Sequence, residues 1–256
     1  MPKISIITIN YNNATGLDKT IRSVITQTYK EFEFIVIDGQ STDTSVDVIK
    51  TYAHQLTNWI SEPDGGIYDA QNKGILNSTG DYLLFLNSGD VLVDNNVLEH
   101  VSTKLNGQSF YYGNLILESN HQSVKHQAPE IIDVDFMLNS TFWHPCVFIK
   151  SSLFKEFGLY NTTFKICGDY EFFIRCLLKP NITTQYLDLF ITRFDANGIS
   201  NNPQQNQLQT EEREKAWRMN VSELIYENLK QQNSFARSKY ATVINLLQKW
   251  RGKPRF

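Results

Sequence analysis

Cysteine is scarce in this chain. Cys146, Cys167 and Cys176 are the only three in 256 residues, and their spacing matches no zinc or redox motif. So sparse and odd a set reads as buried thiols in a reducing compartment and excludes a disulfide-stapled scaffold. Long apolar runs are missing as well. The first, Ile4 to Ile9, is too short for the core of a secretory signal and meets the polar cluster Asn10-Tyr11-Asn12-Asn13. Nothing approaches the roughly 18 apolar residues that span a bilayer. A cytoplasmic protein is expected.

Glycine is absent where the familiar nucleotide folds need it. A dinucleotide fold wants Gly-x-Gly-x-x-Gly straight after the first strand. Here that stretch is Asn10-Tyr11-Asn12-Asn13-Ala14-Thr15, with no glycine before Gly16, and no Walker-type loop occurs anywhere. A phosphate cradled by backbone N–H groups is therefore not indicated. A phosphate neutralised by an oxygen-liganded divalent metal would need an exposed carboxylate at a strand end, and Asp90 supplies one. Acids are missing from the end of the chain. From Asn228 onward there are none, against seven bases: Lys230, Arg237, Lys239, Lys249, Arg251, Lys253 and Arg255. The formal charge of −3 therefore conceals an acidic body with a basic tail, a distribution that suits an anionic surface and not a nucleic acid.

What is present is ordinary for a soluble globular protein: 41% hydrophobic and 20% charged residues, in a length that suits one large domain or one domain with an appendage. Aromatics are frequent, as platforms for glycans or simply as core. Lys3 to Ile9 reads as a buried strand. Leu17, Ile21, Val24 and Ile25 then fall on one helix face. Phe32 to Ile37 is a second strand, followed by capping residues Ser41, Thr42 and Asp43 and a helix bearing Val46, Ile49 and Tyr52. A short strand closes at Trp59-Ile60, a loop Glu62-Pro63-Asp64-Gly65-Gly66 leads into a helix through Ile67, Ala70, Gly74 and Ile75, and Asp81 to Leu86 forms a fourth strand. This alternation predicts βαβ units on a Rossmann-like, mostly parallel sheet flanked by helices.

Beyond residue 95 the pattern is more mixed. Phe110 to Leu117 and Gln185 to Phe194 read as strands, Val134 to Asn139 and Asp169 to Lys179 as helices, and Gly198 to Gln207 as a polar loop. Glu211 to Gln231 and Ala236 to Trp250 read as helices of a C-terminal extension. The expected organisation is a domain over 1–200, halved at 94/95, and a helical basic extension over 201–256.

In open parallel sheets, ligands bind beyond the carboxyl ends of the strands. Those ends read Asn10-Tyr11-Asn12, Asp38-Gly39, Glu62-Pro63-Asp64-Gly65-Gly66 and Asn87-Ser88-Gly89-Asp90. Polar loops and Asp caps are common in any one place; four on one sheet edge point to a site.

Seven runs carry a resemblance: SIITINYNN (5–13), SVITQTY (23–29), FIVIDGQSTD (34–43), EPDGGIYDAQNKGI (62–75), TGDYLLFLNSGD (79–90), HPCVFI (144–149) and GDYEFFIRCL (168–177). From residue 3 to about 200, the chain resembles the inverting family 2 glycosyltransferases of GT-A fold, in particular the bacterial O-antigen, capsule and colanic acid branch. The resemblance implies sugar transfer from a nucleotide diphosphate donor, a UDP-sugar, to a lipid-linked oligosaccharide. It implies Thr8 and Asn10 lining the nucleoside pocket, Asp38 on the base, Asp64 beside the nucleotide, Asn72 and Lys73 near the ribose or diphosphate, and Asn87, Ser88 and Asp90 where the family has its metal motif. It implies Mg²⁺ or Mn²⁺ as cofactor and Asp169 as general base. Two departures stand out. The usual Asp-Ala-Asp-Asp is here Asn87-Ser88-Gly89-Asp90, with one carboxylate left, and many members carry Arg-Asn where this chain has Gln71-Asn72.

Single residues keep two readings. Asp169 opens a helix pattern with Phe172, Phe173, Cys176 and Leu177, so it is either a helix-terminal carboxylate favoured by the dipole or the base. Gly168 before it would let the backbone approach a ligand closely. Glu171 is a secondary acceptor-side candidate. His144 is a structural histidine or an acceptor contact, and Trp143 a core residue or a sugar platform. Asn197-Gly198-Ile199-Ser200 is a site-closing loop or a simple turn. The basic tail, with Val243, Ile244, Leu246, Leu247 and Trp250, is an amphipathic helix on the inner face of the plasma membrane or a docked one. Two rival functions remain: a catalytically dead module that binds sugar nucleotides, and a nucleotidyltransferase, which would want a glycine-rich basic loop after the first strand.

Overall fold

The computed structural model describes residues 2–119, 122–195 and 203–234. The first half alternates as its pattern requires: β1 (Ile4–Asn10), α1 (Ala14–Ile25), β2 (Phe32–Asp38), α2 (Ser45–Tyr52), β3 (Asn58–Ser61), α3 (Ile67–Leu76) and β4 (Tyr82–Phe85). Asn13 caps α1 by accepting from the Gly16 N–H, and the helix buries Leu17, Thr20, Ile21 and Val24. β1 pairs in parallel with β2 on one side and β4 on the other, and β3 adds to β2, so the carboxyl ends of all four strands share one edge. α3 lies close on this sheet because Gly74 has no side chain: a Cβ there would sit 2.3 Å from Cγ2 of Ile7.

The second half contains β5 (Val91–Leu92), α4 (Val97–Ser102), β6 (Phe110–Ser119), β7 (Gln122–His126), α5 (Val134–Asn139), β8 (Val147–Lys150), α6 (Ser152–Phe157), α7 (Gly168–Leu177), β9 (Thr184–Asp195) and α8 (Asn206–Asn220). It joins the same sheet through the antiparallel β4–β8 pair, in the order β3-β2-β1-β4-β8-β6-β9-β5, with β7 on β6. The parallel part is thus followed by a mixed part, in which β6 runs antiparallel to β7 and β8 but parallel to β9.

Strand alternation feeds two cores, one on each face of the sheet. Ile7, Leu83, Phe85, Phe110 and Tyr112 enter one, with Phe142, Phe172, Phe173 and Trp217. Ile6, Leu84 and Tyr111 enter the other, with Leu17, Ile21, Phe34 and Phe148. Most of the aromatic content is therefore core.

The long helix expected over 211–231 is two helices. α8 ends at Asn220, because Val221 is extended (φ −134°, ψ 160°), and helix resumes over 223–234. The predicted helix Ala236–Trp250, the loop Asn197-Gly198-Ile199-Ser200 and every tail base except Lys230 lie outside the described residues. Among the described residues no helix is long and apolar enough to cross a membrane.

Candidate active site

The carboxyl ends of β1, β2 and β4 and the N-terminus of α3 enclose an open cleft of about 840 Å³, lined by Asn10, Tyr11, Gly39, Asp64, Asn87 and Ser88 among others. Beside it lies a second cavity of about 340 Å³, whose walls include Gln71, Trp143, His144, Asp169, Tyr170 and Arg213. Ile67 and Asn87 line both. Among the described residues each cavity has one carboxylate in its lining, Asp64 in the first and Asp169 in the second.

The expected nucleotide residues divide into those that face the cleft and those that build it. Asn10, Asp64, Asn87 and Ser88 face it. Asp64 Oδ1 accepts the Gly66 N–H at 2.9 Å, and its other oxygen occupies the space a side chain at Gly39 would need. Thr8, expected in the pocket, is fully buried and donates to Leu86 O at 2.6 Å, two residues short of the strand end that meets the cleft. Asp38 is also fully buried. Its carboxylate accepts from Asn10 Nδ2 (2.8 Å), Ser61 Oγ (2.7 Å) and both the N–H and hydroxyl of Ser41. Burial pushes this carboxyl up, but the hydrogen bonds from Ser41, Asn10 and Ser61 outweigh it and hold Asp38 below the usual carboxylate range. Asp38 thus positions Asn10 instead of lining the cleft itself.

Asn72 and Lys73 line neither cavity. Asn72 is buried and pairs with the backbone of Tyr160 in both directions, Nδ2 to the carbonyl at 2.9 Å and N–H to Oδ1 at 3.0 Å. Lys73 is tied to Glu62 at 2.8 Å and to Pro63 O at 2.7 Å, which fixes the loop before α3. Asp90, expected as an exposed carboxylate, is 4% exposed and accepts the Asp195 N–H at 3.1 Å. Burial raises its carboxyl to about 7, against the pull of that N–H. The chain turns inward there because Gly89 adopts φ +111°, with the Asp195 side chain packed against it.

Asp169 sits in the first turn of α7, its side chain 18% exposed towards the second cavity. Tyr68, from the first turn of α3, donates to its Oδ1 at 2.9 Å and approaches Ile166 O at 2.5 Å. Burial, then the charge of Asp169, push the Tyr68 phenol well above its ordinary value, so it stays a donor. Gly168 does permit a close approach, by the Tyr68 ring: a Cβ would fall 2.8 Å from it. The other oxygen of Asp169 faces His144 Nδ1 at 4.0 Å, and His144 Nε2 lies 2.9 Å from the Tyr160 hydroxyl. Burial lowers the His144 imidazole below its ordinary value while Asp169 draws it back. Glu171 turns away from the cavity, buried against Arg175 and Asn220. Reading the sequence missed Tyr68, Tyr160 and Arg213 here. Tyr68 lay in plain view inside EPDGGIYDA, but nothing local links it to residue 169.

Residues 5–179 match the Glycosyl transferase family 2 domain. The chain belongs to that family. A PGL/p-HBAD biosynthesis glycosyltransferase of Mycobacterium bovis is 30% identical over 208 residues, 78% of this chain and 80% of that protein. An uncharacterized glycosyltransferase of Mycobacterium tuberculosis is 32% identical over 206 residues, 77% of each chain. Staphylococcus aureus TarS 1-349, solved with UDP, superposes with a TM-score of 0.62 at 21% identity, covering 75% of this chain and 60% of that one. A complex of the same protein with UDP-GlcNAc gives 0.62 at 22%. The mannosyltransferase PcManGT from Pyrobaculum calidifontis, solved with GDP-Man and Mn²⁺, gives 0.55 at 14%, covering 73% and 55%. The fold of this family 2 chain is GT-A: an α/β sheet with helices on both faces.

Proposed function

We propose that the chain transfers a sugar from a nucleotide diphosphate donor, a UDP-sugar, to a lipid-linked oligosaccharide, with inversion, in surface polysaccharide or glycolipid assembly. One observation carries this reading: the cavity holding Asp169 opens beside the strand-end cleft and shares Asn87 and Ile67 with it. The cleft suits the nucleotide, as the UDP complex of TarS also suggests. The second cavity suits the acceptor, with Trp143 as an apolar surface for a ring. Asp169 accepts the proton of the acceptor hydroxyl, that oxygen attacks the anomeric carbon, and the nucleoside diphosphate leaves on the opposite side. Tyr68 orients the base and His144, uncharged, backs it. Residues 1–94 form the donor half and 95–200 the acceptor half. The extension over 201–256 contributes Gln209 and Arg213 to the acceptor cavity.

The reading includes Mg²⁺ or Mn²⁺ near Asp90. Among the described residues no three His, Cys, Asp or Glu side chains cluster as a metal site. The oxygen donors at the end of β4 include Asp90, with no hydrogen bond beyond the backbone among the described residues, and Asn87, whose buried Oδ1 has no partner among them. Such a set fits a hard cation only when phosphate oxygens and water complete its shell. Asp90 and Asn87 would hold it, and it would offset charge on the departing diphosphate.

Release of UDP from a panel of sugar nucleotides, with and without acceptor, tests the reading. Binding of UDP without release from any donor would favour an inactive binding module, and pyrophosphate release from nucleotide triphosphates a nucleotidyltransferase. The placement at the inner face of the plasma membrane rests on the basic tail, whose residues contribute about 1 kcal/mol each near anionic lipid. Exposed Leu224, Ile225 and Met219 support it. Co-sedimentation with anionic liposomes that survives removal of the tail would overturn it.

A further inference from the structure

Family 2 identity covers residues 5–179, and α8 lies wholly beyond that stretch. It is nevertheless bound to the segment that carries Asp169. Glu212, 5% exposed, extends its carboxylate from α8 to three consecutive backbone N–H groups: Lys165 at 2.6 Å on Oε1, and Ile166 and Cys167 at 2.9 Å on Oε2. Those residues lead straight into α7, and Ile166 also offers its carbonyl to the Tyr68 hydroxyl. Cys167 Sγ reaches Gln209 O, Trp217 Nε1 donates to Tyr170 OH at 2.7 Å, and Asn220 Nδ2 donates to Glu171 Oε1 at 3.1 Å. These contacts of α8 fall on residues 165, 166, 167, 170 and 171, on either side of Asp169, while Arg213 and Lys215 reach Met137, Ser140 and Thr163.

A buried carboxylate is costly unless its oxygens are fully engaged. Charge-assisted bonds to backbone N–H groups are among the stronger ones. A surface helix docked only by its apolar face would need none of them, since Ala216 and Trp217 already bury that face. Placing a charge there makes the position of 165–167 specific, because no backbone shift keeps three bonds to one carboxylate. A base must sit within about half an ångström of its productive place.

We propose that Glu212 is a positioning residue for Asp169, which makes α8 part of the catalytic apparatus and not an appendage. This rests on the glycosyltransferase reading above. Glu212 touches neither cavity, so it acts through the 165–167 backbone.

The test compares Glu212→Gln and Glu212→Asp with wild type. Glutamine replaces one acceptor oxygen with a donor, so at least one of the three N–H groups loses its partner. Transfer kcat should fall tenfold or more, with donor KM and UDP affinity by calorimetry within twofold of wild type, and amides 165–169 should exchange faster with solvent. Aspartate keeps both oxygens on a shorter stem and should retain more of kcat. A helix that merely stabilises the fold would lower melting temperature and leave the kcat of folded protein intact; that result in Glu212→Gln overturns the proposal. So does a parallel loss of UDP affinity. If Glu212→Gln does not fold, the Glu212→Asp comparison decides by the same criteria. A wild-type chain that transfers no sugar from any donor removes the glycosyltransferase reading instead. Amide exchange still decides the placement then, since unchanged protection of 165–169 overturns it.

Discussion

The Tyr68 hydroxyl lies 2.9 Å from Asp169 Oδ1, across 101 residues of sequence. Tyr68 stands one residue past Ile67, which lines both cavities, on a helix that begins at the cleft rim. The bond therefore ties the helix at the cleft rim to the carboxylate of the neighbouring cavity. The absence of a side chain at Gly168 is what lets the Tyr68 ring come close enough to make it.

Replacing Asp169 with Asn should leave this frame standing while removing the basic oxygen. General base catalysis contributes about 10²–10⁴-fold, so transfer should fall by that order. UDP affinity should hardly change, since the carboxylate lines the cavity beside the strand-end cleft and not the cleft itself. The measurement is transfer rate and UDP binding on the same folded variant. Near-wild-type transfer would refute the base; lost UDP affinity would move Asp169 to the donor side.

Asp38→Ala should weaken UDP binding by an indirect route. Its carboxylate holds Asn10, Ser41 and Ser61, and of these Asn10 lines the cleft. Stranding these donors should cost roughly 1–3 kcal/mol, shared between donor affinity and stability. Calorimetry with UDP, read alongside a melting curve, checks it. Unchanged affinity in a stable variant would mean that Asn10 does not contact the nucleotide.

How far the sequence could be read follows from the range of each interaction. β1 and β2 were legible because both are β-branched runs buried on both faces, and the strand-end loops came with them. β5 and β8 have two and four residues and show no period of their own. The break after α8 has a signal, Ser222, whose hydroxyl oxygen accepts from the Ile225 N–H at 3.5 Å as the next helix starts, but the apolar pattern runs through it. The strand ends and motif positions of Thr8, Asn72 and Asp90 predict open side chains. Their burial depends on partners at Leu86, Tyr160 and Asp195, which no local pattern names. Tyr68 and Glu212 stayed invisible for the same reason.

Divalent metal should raise activity through Asp90. Mn²⁺ or Mg²⁺ should increase transfer roughly tenfold or more over excess EDTA, the scale of charge stabilisation on a leaving diphosphate. Asp90→Asn should lose most of that response while keeping UDP binding in EDTA. Full turnover in EDTA would show that the oxygen donors at the end of β4 hold no required ion.

The last prediction concerns His144 and pH. Its ring stacks on Phe85 at 4.8 Å, and the Tyr160 hydroxyl stands 2.9 Å from Nε2. Burial keeps the Tyr160 phenol protonated, and the Asp169 carboxylate facing Nδ1 favours the tautomer with its proton there, in which Nε2 accepts from that phenol. Burial holds the imidazole below its ordinary value of 6.5 in the folded chain, while the unfolded chain titrates normally. Folded His144 therefore resists a proton that the unfolded state accepts. Its contribution to stability is complete above pH 6.5 and is lost as pH falls towards the lowered folded value, by up to about 1.4 kcal/mol per pH unit. Asp90 works the other way, because a carboxyl raised to about 7 favours folding as pH falls through that value. A single stability curve would mix the two. The informative quantity is the difference in unfolding free energy between wild type and His144→Gln, which keeps a polar group near Tyr160 but does not titrate. That difference should move against wild type from pH 7.5 to 5. If it stays constant, His144 is not held neutral in the folded chain, and its place as an uncharged neighbour of the base is wrong.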